Sequence, residues 1–527
     1  VSARSYRREW VGFTTMSAGL FMAILDIQIV AAALPRIATS LHTPLSELSW
    51  VQTAYLVTEV IAIALSGRLA RAMSTRWLFG LATLAFALTS LGCGLSHDFV
   101  TLIVWRTIQG FAAGLITPTV FAVGYKMFPK KLQHRAMLVA GASAMVAPSI
   151  GPFLGGFIAE KFSWNWLFFI NVPIGIAIAV IVLAVVRVDV AHRASWRTID
   201  VPSFLFLAVG LAALQIMLKV APEDHWKALR DYGLIVATLG CAFFAVKRCV
   251  EHHDPLVNLL PLRSAGFATA SAFNFVLGLG LYGSLYVLPL FLGFVRFHTP
   301  LEIGITMTVM GVAQLIAAPF ASIADQRLPA RYVVFAGFAL FSAGAFANAF
   351  QTPLTDSAQL VWPQILRGAA LLLCILPITN VALDELPAQA LSNASGLLNF
   401  MRNLGGAIGI GLVDTIINLR PETIGKHLLV QLSQGNAKTA AFVGVPVGLI
   451  KGMDLSHTDP ADISFVKPIV ERAAATIAFN EAWLLIGGIM LASLLMLPLL
   501  RRPSTIAQRS LQRAPERFAH ETSPVAP

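Results

Sequence analysis

Six ionisable side chains stand five or more residues inside runs that are otherwise apolar: Asp26, Glu59, Arg106, Arg367, Arg402 and Asp414. A charge at bilayer depth costs on the order of 2.5–3.5 kcal/mol on insertion scales, so residues of this kind are functional candidates by default. A buried carboxylate beside an arginine is a simple proton-handling device. Burial penalises the ionised form and the guanidinium favours it, so an arriving proton or ligand can tip the balance. Asp26 lies about eight residues inside the outer end of its run, Glu59 about nine and Arg106 about seven; at ~1.5 Å per residue all three sit roughly 10–14 Å below the outer surface. One shared layer is expected. The plainer alternative is an Asp–Arg pair that only fixes helix packing. Asp414 and Arg402 lie near the ends of their run, where a side chain can snorkel to water, and are the weaker candidates.

Other chemistries are disfavoured. All eleven histidines fall between the apolar runs, and Cys93, Cys241, Cys249 and Cys374 form no C-x-x-C. A buried metal or haem site would need ligands within the runs, so no metal and no cofactor are expected. No G-x-x-x-x-G-K-[ST] loop is present, so energy would have to come from an ion gradient or another chain. Without a clustered acid–base set, no catalytic residue is expected.

The elements that must position these charges are membrane helices. The chain has 527 residues, 57% hydrophobic and 12% charged, with mean hydropathy +0.73. A soluble protein could not hide that much apolar surface. Runs of about twenty apolar residues lie near 11–33, 49–67, 77–95, 99–123, 136–159, 164–186, 201–219, 232–249, 266–292, 302–323, 332–350, 359–382, 395–419 and 477–499. An even number puts both termini on one side. VSARSYRREW leads directly into the first run, so no removable signal peptide is expected, although Val1 does not establish the natural start. The net charge of +11 is read as cytoplasmic-loop bias, with no nucleic-acid partner. The opposite short loops hold only Arg36, Lys161, Lys219, Lys227, Arg230 and Arg296, which places both termini in the cytoplasm. The connection 420–475 then faces outward. Its length and apolar patches are expected either to dock a periplasmic adaptor, and through it an outer-membrane channel, or to shape the outer vestibule. The polar, Arg-rich tail 503–527 is expected to be disordered.

Within the fifth run, Met137 to Glu160 reads MLVAGASAMVAPSIGPFLGGFIAE. Prolines here survive only where neighbouring helices re-satisfy the backbone. Ala147, Gly151 and Gly155 recur every fourth residue, leaving a face that another helix can approach closely. The chain also echoes itself: Gly110 precedes Pro129 by nineteen residues and Gly368 precedes Pro387 by nineteen, the glycines following Arg106 and Arg367. The echo predicts two six-helix halves, 1–187 and 264–502, around an extra pair of helices within 188–263, parallel repeats of the kind that frame a midplane site.

These segments resemble the major facilitator superfamily, in its fourteen-helix drug:proton antiporter branch, EmrB/QacA-like. Pro148, Gly151, Pro152, Gly155 and Gly156 match the antiporter motif. LIVWRTIQGFAAG, with Arg106, Gln109 and Gly110, resembles the fourth-helix motif tied to proton coupling. AILDIQIVAAALP, with Asp26, resembles the first-helix signature, WNWLFFINVPIG (with Asn171) the start of helix 6, LQIMLKVAPEDHW the end of helix 7, and SGLLNFMRNLGGAIG helix 13. After helix 2 the gating loop keeps Gly67 and Arg76, but Arg71 replaces an acidic residue common in the branch, while its repeat retains Asp325. The resemblance implies an all-α major facilitator fold in a cytoplasmic (inner) membrane. It implies proton-coupled efflux of lipophilic or amphipathic compounds, with proton and substrate handled by Asp26, Glu59, Arg106 and Asp414. A dedicated exporter of a fatty acid or other metabolite, an uptake symporter and a non-transporting sensor are the alternatives.

Overall fold

The computed structural model describes residues 6–189, 200–222, 227–251, 257–384, 386, 391–446 and 466–500; the expected tail 503–527 and the repeat's Pro387 lie outside them. Fourteen helices are long and apolar enough to cross a membrane. They are α1 Arg7–Ser40, α2 Trp50–Met73, α3 Thr75–Gly94, α4 Phe99–Met127, α5 Lys130–Lys161, α6 Trp166–Val185, α7 Val201–Val220 and α8 Leu229–Glu251. Then follow α9 Ala265–Val295, α10 Pro300–Arg327, α11 Ala330–Phe350, α12 Ser357–Asp384, α13 Leu391–Ser433 and α14 Lys467–Leu499. Both ends of α1–α14 therefore emerge on one face, here the terminal face; the opposite one is the far face.

Several helices overrun their apolar cores because their ends carry caps and charges. Asp98 opens α4 by accepting from the Thr101 N–H at 2.8 Å and hydroxyl at 2.6 Å, bonds that hold its carboxyl below the usual range. Thr299 and Glu302 form a capping box on α10. Two histidines expected in loops are helical for the same reason: His134 lies in the polar first turns of α5 and His427 in the extension of α13.

Helices α1–α6 pack among themselves, and each principal contact recurs eight helices on: α2 on α4 and α10 on α12, α1 on α5 and α9 on α13, α3 on α6 and α11 on α14. The α7–α8 hairpin lies to one side, pinned at the terminal face by Arg248 Nη2 to Asp200 Oδ1 at 2.9 Å. α8 presents Val236, Leu239, Phe243 and Val250 outward, as a lipid-facing helix must.

The small-residue helix α5 has two working faces. On one, a Cβ at Gly151 would stand 2.5 Å from Gln28 Cβ, and one at Gly155 2.3 Å from the Ile29 carbonyl, so α1 lies backbone to backbone against it. On the other, a Cβ at Gly156 would meet the Pro300 carbonyl at 2.2 Å; reciprocally, one at Gly304 would meet the Pro152 carbonyl at 2.3 Å. Ser149 Oγ closes that seam on the Gly311 carbonyl at 2.9 Å. At the far face Gly293 abuts Pro35 in the same way, whereas a Cβ at Gly141 or Gly396, nearer the terminal face, would meet nothing within 4 Å. The two bundles are thus closed on each other at the far face.

The connection expected as a loop at 420–475 is largely helical among its described residues. α13 runs 43 residues, about 64 Å at ~1.5 Å per residue, roughly twice the ~30 Å hydrocarbon core. Its extension carries Ile424, Leu428 and Leu432, which bury against Val470, Ala473, Ala474 and Ala478 of α14. A short helix, Ala437–Val443, closes the tip with Ala440 and Val443. Arg420 clamps the base, its Nε and Nη2 donating to the two Glu481 oxygens at 2.7 and 2.8 Å. Of the apolar run at 441–450, Val443 and Val445 join the core of this projecting stalk, and residues 447–465 lie outside the described set.

Candidate functional site

The first buried network centres on Asp26, fully enclosed in α1. Arg106 Nη1 of α4 donates to Asp26 Oδ2 at 2.5 Å and to Gln109 Oε1 at 2.8 Å. Asn171 Nδ2 of α6 donates to Asp26 Oδ1 at 2.8 Å, and Gln109 Nε2 reaches the same oxygen at 3.3 Å. Ser90 of α3 accepts from both amides, at 2.9 and 3.1 Å. Arg106 Nε is held by the Val51 carbonyl at 3.1 Å, and its guanidinium lies 4.3 Å over the Tyr55 ring. A single acid and a single base thus tie four helices together, with both carboxylate oxygens engaged. Breaking such a pair from one side costs about 3–5 kcal/mol.

Glu59 takes no part in the hydrogen bonds of that network, although the Arg106 charge still reaches it. It is buried in α2 but faces the second bundle, where Asn403 of α13 and the Arg402 charge lie nearby. Its Oε2 has no partner. Tyr282 of α9 donates to Asn403 Oδ1 at 3.2 Å, so the carboxylate stands in a polar seam between the bundles. Arg402, read as a snorkelling charge, belongs to that seam and also bonds Asn399.

Asp414 does not snorkel either. It is 3% exposed, because three donors reach it: Ser49 Oγ at 2.8 Å, Tyr286 OH at 2.7 Å and Lys219 Nζ at 3.2 Å. Lys219, assigned to a loop from its place near a run end, belongs to α7 and is itself nearly enclosed. This second network joins the start of α2, the extra helix α7, α9 and α13 near the far face. The three sequence candidates, Asp26, Glu59 and Asp414, therefore occupy three separate sites.

The residues read as a gating loop are helical. Gly67 and Arg71 lie in α2 and Arg76 in α3, with only Ser74 between, at φ 72°. A left-handed residue makes so short a reversal feasible. An acid does stand here: Asp189 accepts from the Thr75 N–H at 2.8 Å and hydroxyl at 2.5 Å, with Lys126 at 3.5 Å. It follows α6 in sequence, so no pattern local to positions 67–76 could have revealed it. Asp325, in the last turns of α10, accepts from Asn380 Nδ2 at 2.5 Å. In the fourth-helix motif, Gly110 earns its place by contact: a Cβ there would lie 2.2 Å from the Tyr55 carbonyl of α2. Pro148 carries no such contact of its own, but its carbonyl lies against Gly311.

Residues missed from the sequence are mostly neutral: Ser90, Asn403, Tyr282, Tyr286 and Ser49. Intramembrane amides and hydroxyls carry less sequence signal than charges, although a buried polar group needs a partner just the same. Among the described residues no group of three or more His, Cys, Asp and Glu could hold a metal ion.

Residues 16–410 match the family model described as Major Facilitator Superfamily. The chain is 34% identical over 417 residues to the colistin resistance protein EmrB of Acinetobacter baumannii, covering 78% of this chain and 81% of the relative. It is 30% identical over 482 residues to the multidrug export protein EmrB of Escherichia coli K12, covering 91% and 93%. To the fatty acid resistance protein FarB of Neisseria gonorrhoeae it is 31% identical over 417 residues, covering 77% and 80%. Among solved structures, a bacterial homologue of the human lysosomal transporter Spinster, inward-facing and unoccupied, aligns with TM-score 0.58 at 12% identity, over 97% of this chain and 99% of that one. Fourteen membrane helices, the buried Asp–Arg network and these likenesses converge: the chain is a multi-pass membrane protein of the major facilitator superfamily, in its EmrB-like group.

Proposed function

We propose that the chain exports hydrophobic or amphipathic compounds across the cytoplasmic (inner) membrane by alternating access, exchanging them for protons. The observation that carries this reading is the Asp26–Arg106–Gln109–Asn171 network, a titratable acid locked to a base where α1, α4 and α6 meet. Both termini lie in the cytoplasm, so the far face looks outward and the structure is closed outward. The bodies that rock are 1–187 and 264–502, with 188–263 riding between them. Asp26 carries the proton. Glu59, with one oxygen open toward the second bundle, meets the cationic part of a substrate. The turn at Gly67, Arg71 and Arg76 with Asp189, and Asp325 with Asn380, are the cytoplasmic gate. An apolar groove of about 700 Å³ between α10 and α12, lined by Ile316, Phe320 and Leu373 among others, suits lipophilic ligands. The fatty acid resistance relative favours a second reading, export of a fatty acid or similar metabolite.

Antiport requires substrate and proton to compete. Purified protein in weak buffer should therefore release protons when lipophilic cations are added, and fatty acids should do so instead if the second reading holds. Absence of release with every compound, together with absence of flux in vesicles, would leave a sensor as the better description.

The stalk of α13 and α14 docks a periplasmic adaptor that leads to an outer-membrane channel. Replacing residues 424–474 by a short polar linker should cut export from whole cells by an order of magnitude or more while leaving substrate binding by purified protein within about twofold, a change of only ~0.4 kcal/mol. Equal loss of both would assign the stalk to the vestibule instead.

A further inference from the structure

Among the described residues, the second bundle holds an arginine with no acid partner. Gly110 and Gly368 are equivalent in the fold: a Cβ at Gly110 would strike the Tyr55 carbonyl of α2 at 2.2 Å, and one at Gly368 the Met310 carbonyl of α10 at 2.1 Å. Aligned on these glycines, Arg106 falls on Gln364 and Gln109 on Arg367, so the two bundles carry the same Arg–Gln pair with its members exchanged. In both, arginine donates to glutamine. In the first bundle Asp26 completes the set. In the second, α9 has no Asp or Glu from Ala265 to Leu290, and α11 has none from Ala330 to Ala347.

Acids on the remaining helices are committed or distant. Glu481 is clamped by Arg420, Asp414 by Lys219, and Glu302 caps α10; Asp325 and Asp384 lie at the terminal face. Glu422 pairs with Lys426 and Glu471 with Lys467 out on the stalk. Arg367 is nevertheless 1% exposed, its guanidinium 4.4 Å over the Trp483 ring, with Nε and Nη1 unpartnered. Arginine cannot shed its proton to relieve this. Around it, Gln364 Nε2, Trp483 Nε1 and the Asn348 side chain are likewise enclosed without partners. Gly344 packs on Arg367 and Ser342 bonds the Gly487 carbonyl, so register carries Asn348 to the level of Gln364 and Trp483. At one level, then, α11, α12 and α14 each carry an unused buried N–H donor beside a buried cation, a set that calls for negative charge.

We propose that a small monovalent inorganic anion, chloride under ordinary conditions, binds at Arg367 between Gln364, Asn348 and Trp483, taking in the second bundle the place that the Asp26 carboxylate fills in the first. All four side chains are buried, which favours a small ion over a phosphate or an organic acid.

The test needs no transport. Full-length protein in nanodiscs is titrated from gluconate to chloride at constant ionic strength while its thermal unfolding midpoint is followed, and bromide quenching of tryptophan fluorescence is read in parallel. The midpoint should rise saturably with chloride, and a saturable part of the quenching should vanish in Trp483→Phe. Arg367→Gln, which removes the buried charge, should abolish the chloride response and unfold no earlier than wild type in gluconate. If that variant does not fold, the wild-type titration decides alone. A wild-type midpoint and quenching curve with no saturable halide component would overturn the site and leave Arg367 solvated by buried water.

Discussion

Asp26→Asn should reduce pH-driven efflux to background and, because it leaves Arg106 buried without its acid, lower the thermal unfolding midpoint through the loss of about 3–5 kcal/mol. The substitution keeps the shape of the side chain and its bonds to Asn171 and Gln109 within reach, but nothing at that position can then titrate. Exchange of internal for external substrate, which needs no net proton movement, should persist in the same vesicles. Arg106→Ala should abolish exchange as well as pH-driven efflux. It strips Asp26 of its base, leaves the Val51 carbonyl without its donor, and empties the space over Tyr55. Loss of one partner from a buried pair predicts about 3–5 kcal/mol of destabilisation, visible as lower yield and earlier thermal unfolding. If Asp26→Asn still concentrates substrate with normal pH dependence, the pair is a packing device and the proton rides on Glu59 or Asp414.

The second large effect separates two adjacent glycines. Gly155 touches α1 within one bundle, whereas Gly156 touches α10 across the seam. A methyl group at either position overlaps a backbone carbonyl, and overpacking of this kind costs about 1–3 kcal/mol. At Gly156 the strain is relieved by parting the bundles at the far face. Gly156→Ala and Gly304→Ala should therefore populate the far-open state, by about tenfold for each ~1.4 kcal/mol. Spin labels at Thr43 and Phe297 should report a longer distance in both variants. Gly155→Ala has no such escape and should lower stability with the label distance unchanged. Identical distance distributions for Gly155→Ala and Gly156→Ala would refute the assignment of the two faces.

The fourteen spans were legible because lipid imposes about twenty apolar residues on every crossing, and that demand leaves its mark on the chain whatever the tertiary contacts. Asp26 and Arg106 were legible because charge in such a run is costly. What each charge meets was not. Glu59 and Asp26 have similar depths, but depth says nothing of azimuth, and Glu59 points across the seam to Asn403. Lys219 sits one residue from the end of α7, and only the approach of Asp414 from α13 makes it a buried cation. The stalk was hidden for a different reason. Its helices lie beyond the apolar runs, and their sparse hydrophobic residues become a core only when α13 and α14 stand side by side.

The contact of Lys219 with Asp414 bears on how a fourteen-helix chain relates to a twelve-helix plan. The cation comes from the inserted hairpin and the anion from the second bundle, with Ser49 of the first bundle on the same oxygen. The two large bundles are consequently not electrically self-contained; they borrow a charge from the pair between them. When α2 and α13 separate at the far face, Ser49 must leave Asp414, and Lys219 can stay as a travelling counter-ion. Cutting the hairpin out would strand a carboxylate in the seam, so α7 is an ionic component of the core.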